Sequence, residues 1–182
     1  MLKKIVSIIF LFSFFPISTS FAITPTIRCP NIQVCFTPGE NCTAEINDVI
    51  DAANQSIFVQ AYSFTSAPIA THLIAAKKRG VDVNVILDKS QRTQKYSAFR
   101  FLIDQHIPCW IDYRPAIAHN KIMIIDGKEV ITGSFNFTQA AQNRNAENLL
   151  IIRDKVLAMI YLKNWQRRRA LSMYLNPHTS TA

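Results

Sequence analysis

An α/β fold, a mixed β-sheet flanked by helices on both faces, is predicted by three features of the sequence. Short Val- and Ile-rich runs alternate with stretches of helical spacing along most of the chain, in βαβα order. Late in the chain, Asp126-Gly127 separates two adjacent strand-like runs, which adds an antiparallel hairpin. No internal repeat or long linker interrupts the pattern, and 182 residues with 49% hydrophobic content suit a single well-packed core.

The first element is not part of that core. Met1-Leu2-Lys3-Lys4 leads into an apolar run from Ile5 to Phe15, followed by Pro16 and a Ser/Thr-rich stretch closing in Ser20-Phe21-Ala22. A charged start, a short apolar middle and small residues at the cleavage positions make residues 1–22 a secretory signal peptide, cut after Ala22. The run is shorter than the roughly 20 residues that a membrane span needs, and an uncleaved anchor is the alternative. The domain is then 23–182, and the expected location is secreted or periplasmic in a bacterium. Cleavage removes Lys3 and Lys4 and no acidic residue, so the formal charge of +8 falls by two and stays basic. Basic charge favours phosphate-bearing partners, nucleic acid and anionic lipid alike.

Beyond the signal peptide, Ile32 to Phe36 is a short strand. Cys42 to Asn54 has helical spacing at Ile46, Val49, Ile50 and Ala53, with Thr43 as a cap ahead of Glu45. Ser56 to Phe64 is strand-like, Pro68 to Arg79 is a helix stopped by Gly80, and Val81 to Leu87 alternates as the next strand. Residues 97–105 are helical and Ile107 to Tyr113 extended. Lys121 to Ile125 and Glu129 to Phe137 form the hairpin, Asn148 to Arg153 a last strand, and Asp154 to about Tyr174 a long helix. The tail, Asn176 to Ala182, frays.

Four cysteines lie in the exported part. An even number in an oxidising compartment indicates pairing, and the spacing of Cys29, Cys35 and Cys42 is not that of a zinc site. Cys35 with Cys42 would close a small loop and leave Cys29 for Cys109, but four cysteines permit three pairings and the sequence does not choose among them.

The chemistry concentrates between Ala118 and Asn136. Residues two apart on a strand share a side, so His119 projects with Lys121, and Ser134 with Asn136 on the returning strand. One face therefore gathers an imidazole, an ammonium, a hydroxyl and an amide. Imidazole is a competent nucleophile near neutral pH, while Lys121 and Asn136 can hold the non-bridging oxygens of a phosphate as its phosphorus becomes five-coordinate. Ile122, Ile124 and Ile131 face the other way into the core, as do Phe135 and Phe137. Gly133 admits a close backbone approach, as at a ligand site on a strand.

This run resembles the HKD motif of the phospholipase D superfamily: H-x-K, four residues, D, six residues, then G-S-x-N, without a gap. The likeness extends from the Cys35–Cys42 loop through Gln60-Ala61-Tyr62 to Trp165, and is greatest to the small single-motif bacterial members, the Nuc-type endonucleases and short phospholipase D-like proteins. It implies that His119 forms a covalent phosphohistidine and that Lys121 and Asn136 bind phosphate. It further implies that Ser134 and Glu147 support the histidine, Glu147 by accepting its second N–H. Asp126, in the turn, has a structural role within the motif. The mechanism calls for no metal or cofactor, but for a second histidine to protonate the leaving group. This chain has one motif, and His72, His106 and His178 lack its companions, so a homodimer with two His119 side chains facing across the two-fold axis is expected.

Lys89, Arg92 and Lys95, just after a strand end, could line a phosphate groove or belong to a solvated loop. Arg167-Arg168-Arg169 reads as a solvated helix end. Three functions compete: a sequence-nonspecific endonuclease on DNA or RNA, the leading one; a phospholipase D acting on head groups, with host membranes as a target; and a noncatalytic nucleic-acid or membrane binding protein.

Overall fold

The computed structural model describes residues 31–175, so the expectations for the signal peptide, Cys29, His178 and the tail fall outside the described residues. In chain order the elements are β1 (Ile32–Thr37), α1 (Cys42–Asp51), β2 (Ser56–Ala61), α2 (Ala67–Lys78), β3 (Asp82–Asp88), a 3-10 turn (Lys89–Arg92), α3 (Phe99–Asp104), β4 (Cys109–Asp112), β5 (Lys121–Ile125), β6 (Glu129–Gly133), α4 (Gln139–Asn143), β7 (Glu147–Arg153), α5 (Lys155–Leu171) and β8 (Met173–Leu175).

All eight strands join one sheet in the order β1-β7-β6-β5-β2-β3-β4-β8. Strands β2, β3 and β4 are parallel, as the two helical crossovers require, and the remaining pairs are antiparallel. Helices cover both faces, as predicted. On one face α1, α2 and α3 bury Ile46, Ile50, Leu73 and Phe99 against Val59, Val85 and Met123. On the other, α5 lays Ala158 and Trp165 on Ile86, Ile122, Ile124 and Val130. Trp165 anchors that layer: its Nε1 donates to the Val59 carbonyl at 2.8 Å, and its ring packs against Phe58 and Trp110.

Several details depart from the sequence reading. The cap of α1 is Asn41, whose Oδ1 accepts from Ala44 N, while Thr43 N is taken by the Gln142 side chain. Ile131 does not share a face with Ile122 and Ile124; it pairs with Met123, and residues directly opposite in an antiparallel ladder point to the same side. The helix expected to reach Tyr174 stops at Leu171, because Ser172 turns extended and Met173–Leu175 pairs with β4. Neither α4 nor β8 is apparent from hydrophobic spacing, since each is five residues or fewer.

The Cys35–Cys42 disulfide forms and ties β1 to the start of α1, with Cα atoms 5.7 Å apart. Cys109 is a free thiol on β4, sealed in the core, where burial pushes its ionisation far above the usual thiol range. The expected second bridge is therefore not made at Cys109. The arginine run is also not a solvated helix end. Arg168 makes a bidentate pair with the buried Asp112, and the exposed Arg169 lays its guanidinium over Trp110 and Trp165; Arg167, also exposed, bonds Asn164.

Candidate active site

Strand β5 begins at Lys121 beside the end of β2, where Ala61 is its ladder partner and Tyr62 N donates to the Asn120 carbonyl at 2.8 Å. That contact holds His119 just outside the sheet, with its ring tilted against Tyr62 at 4.6 Å between centroids. The Lys121 Nζ is 3.1 Å from His119 Nε2 and 3.0 Å from the His119 carbonyl, and lies over the Tyr62 ring. His119 is exposed whereas Lys121 is only 7% exposed. Burial pulls the lysine below its ordinary value, against the opposing charge of Glu147.

The other wall comes from the end of β6. Gly133 has φ 141°, and a Cβ there would run into the Asn148 carbonyl oxygen. The close approach inferred for Gly133 is thus to the neighbouring strand, and it creates a bulge in which Ser134 N and Phe135 N both donate to Asn148 O, at 3.1 and 3.2 Å. Past the bulge the alternation persists. Phe135 and Phe137 are fully buried, as expected, and Ser134 and Asn136 turn to the site. Ser134 Oγ donates to Glu147 Oε2 at 2.6 Å and accepts from Asn148 N at 3.0 Å, and Asn145 Nδ2 holds the other Glu147 oxygen at 2.9 Å. The Glu147 carboxylate is therefore bonded to Ser134 and Asn145, not to His119 as the resemblance suggested. Asn136 Oδ1 is buried with no hydrogen-bond partner among the described residues.

His119, Lys121, Gly133, Ser134, Asn136 and Glu147 together line an open pocket of about 350 Å³. Six residues from three separate segments thus converge on one pocket, five of them from the motif and Glu147 from beyond it. Asp126 does not join them. It sits at the opposite end of β5, where its carboxylate accepts the N–H groups of Asn54, Gln55 and Ser56 at 2.8 to 3.3 Å and pairs with Lys128. Burial pushes its carboxyl up, but those hydrogen bonds and the lysine outweigh it and hold the group below the usual carboxylate range. Lys89 and Arg92 share the His119 edge of the sheet but are not in the pocket lining: Lys89 Nζ reaches the Pro115 carbonyl at 3.4 Å and Arg92 the Tyr113 hydroxyl at 3.3 Å. His72, on α2, pairs with Asp51, and His106 follows α3.

One positioning residue escaped the sequence reading. Asp88, the last residue of β3, accepts Ala118 N at 2.7 Å and Ser90 N at 2.9 Å. Burial works against its charge, yet these bonds win and hold its carboxyl low. The residue before His119 is thereby fastened to the sheet. The available signal was an acidic residue closing an otherwise apolar strand. Among the described residues no three His, Cys, Asp or Glu side chains gather closely enough to hold a metal ion.

This chain matches known proteins over most of its length. The family described as "Cardiolipin synthase, PLD-like domain" matches residues 46–169. A phospholipase D of Rickettsia felis is 52% identical over 139 residues, which are 76% of this chain and 70% of the relative. A mitochondrial cardiolipin hydrolase of Xenopus laevis is 31% identical over 115 residues, 63% of this chain and 55% of the relative. Among solved structures, the phospholipase D family member Nuc from Salmonella typhimurium superposes with a TM-score of 0.77 at 38% identity, covering 80% of this chain and 97% of Nuc.

Proposed function

The chain belongs to the phospholipase D superfamily and is a phosphodiesterase of that family, and on that premise we propose that it hydrolyses nucleic acid by way of a phosphohistidine on His119. The observation that carries this reading is the single pocket in which an exposed imidazole stands 3.1 Å from a buried ammonium, with the amide of Asn136 beside it. Lys121 and Asn136 hold the non-bridging oxygens, so the phosphorus faces His119. His119 attacks, a P–N bond forms and the P–O bond to the leaving group breaks. A second imidazole protonates that oxygen and then takes a proton from the water that cleaves the P–N bond. Ser134 fixes Glu147 at the pocket wall, which keeps a negative charge near the ring as it becomes cationic.

The second imidazole is His119 of a partner copy. Support comes from an uncovered apolar surface at the right place. Ile32, Val34 and Phe36 of edge strand β1 stand exposed on the α5 side of the sheet, Phe36 at 57%. Phe36 pairs with Asn148, and the next residue, Thr37, with Glu147. A two-fold contact there would bury this strip and bring two pockets together. Export through the N-terminal signal accords with the Cys35–Cys42 disulfide.

Nucleic acid is favoured by exposed cations on the edge that carries the pocket, Lys89, Arg92, Lys95, Arg114 and Arg144. Phospholipid is the second reading, favoured by the name of the Rickettsia felis relative and by Ile117, half exposed two residues before His119. The test is hydrolysis of plasmid DNA, RNA and phosphatidylcholine vesicles by the mature protein in EDTA, with His119→Ala as the blank. Nicking of nucleic acid that disappears in the blank is the expected result; head-group release with no nicking would transfer the assignment to phospholipid, and activity surviving in the blank would remove His119 from it.

A further inference from the structure

Helix α4 has a second use. It begins three residues after Asn136 and ends four before Glu147, so both of its flanks line the catalytic pocket while its outer side is turned away. On that outer side lies a second cleft of about 620 Å³, lined by Tyr96, Gln139, Ala140, Asn143 and Arg144. Five helical residues span about 7.5 Å at 1.5 Å per residue, so the two cavities are near neighbours.

Tyr96 is unusual in this setting. It is 77% exposed and has a φ of 69°, a left-handed conformation that a bulky residue adopts at a cost of about 1 kcal/mol or more. Its loop is not loose. Phe64 N donates to the Gln91 side chain at 3.0 Å, Ser97 N to Gln94 O at 3.1 Å, and Ala98 N to Phe64 O at 2.8 Å. An anchored loop thus holds an aromatic ring outward. The Lys95 ammonium lies 5.1 Å from the ring centroid over one face, which leaves the other face as a platform. The same cleft is lined by two amides, Gln139 and Asn143, and by Arg144, with Ala140 its one aliphatic residue.

A flat aromatic face, two amides and flanking cations are the components that receive a base and its phosphate. We infer that this cleft is a nucleotide subsite: it stacks one base of a single-stranded nucleic acid on Tyr96 and holds an adjoining phosphate with Arg144 and Lys95, while the phosphodiester next along the strand lies at His119. The inference rests on the nucleic-acid reading above and goes beyond it in naming the residues outside the catalytic pocket that select a polymer.

The test compares two substrates for the mature protein: a short single-stranded DNA oligonucleotide, and bis(p-nitrophenyl) phosphate, which carries neither a base nor an adjoining phosphate. Tyr96→Ala is expected to raise KM for the oligonucleotide about tenfold, within the range of one base stack, with hydrolysis of the small diester unchanged. Tyr96→Phe keeps the ring and restores the oligonucleotide KM. Arg144→Ala is expected to lower the salt dependence of oligonucleotide binding by about one phosphate contact. An oligonucleotide KM unmoved by Tyr96→Ala overturns the subsite while leaving the nuclease reading in place. Equal losses on both substrates overturn it too, because they mark a structural role. If the unaltered protein hydrolyses the small diester and phosphatidylcholine vesicles but no oligonucleotide, the nucleic-acid reading itself fails, and the subsite with it.

Discussion

The two ends of strand β5 carry polar side chains from the same sequence motif and treat them in opposite ways. At one end the Asp126 carboxylate meets three backbone N–H groups and Lys128, so its hydrogen-bonding capacity is used within the protein. At the other end the buried Lys121 is held by one carbonyl and a histidine nitrogen, beside an Asn136 oxygen with no partner among the described residues. A saturated carboxylate fastens the α1–β2 connection to the β5–β6 turn. The partly used ammonium can be completed by a phosphate, whose oxygens accept, and the Asn136 oxygen by a donor hydroxyl or water. Within one motif, the degree of saturation distinguishes support from chemistry.

The largest effect expected from this contrast is at His119. His119→Ala should lower kcat by about 10⁴-fold or more with the melting temperature unchanged, measured by single-turnover hydrolysis and calorimetry. Lys121→Met should cost about 10² to 10³ in kcat/KM and leave the protein at least as stable as before, since it removes an ammonium that burial already disfavours. A large fall in melting temperature for that variant would place Lys121 with Asp126 as a structural group.

Asp126→Ala reverses the pattern. It should destabilise by about 2 kcal/mol in denaturant titration, because three backbone N–H groups lose a charged acceptor, while activity per folded molecule is kept. Its pH signature follows from the depressed carboxyl. The stabilisation is fully present above the ordinary carboxylate value and is lost as pH falls through the lower folded value, so Asp126→Asn should flatten the acid limb of stability below about pH 4. A variant whose acid limb matches the parent would contradict this. The smallest effect is at Asp88. Asp88→Ala should reduce kcat about tenfold with KM little changed, and Asp88→Asn, which retains an acceptor for Ala118 N, should recover most of it. Losses confined to KM would show that Asp88 meets substrate rather than positioning His119.

Much of this arrangement is local and therefore legible in the chain. The periodicity of 57–61, 83–87 and 121–125 identifies strands because each is apolar on at least one face, and the spacing of His119, Lys121, Ser134 and Asn136 survives even though the ladder of β6 ends at Gly133. The Phe135 and Phe137 side chains keep that alternation by filling the core. The turn position of Asp126 suggested a structural role within the motif, since a turn residue has backbone N–H groups near it, but only the fold shows that it lies away from the pocket.

Tertiary structure decided what depends on partners distant in sequence. Whether Glu147 meets His119 or Ser134 turns on the bulge that Asn148 makes against Gly133, and no spacing rule contains it. Asp88 reaches Ala118 across 30 positions, and Arg168 reaches Asp112 across 56, so neither could be distinguished from a solvated charge in the chain. The fate of Leu175, closing the sheet rather than ending a helix, depends on the free edge of β4. The physical reason is the range of the forces concerned: hydrophobic period and turn chemistry act between near neighbours, whereas the pairing of a buried polar group is set by whatever the whole fold brings within 3 Å of it.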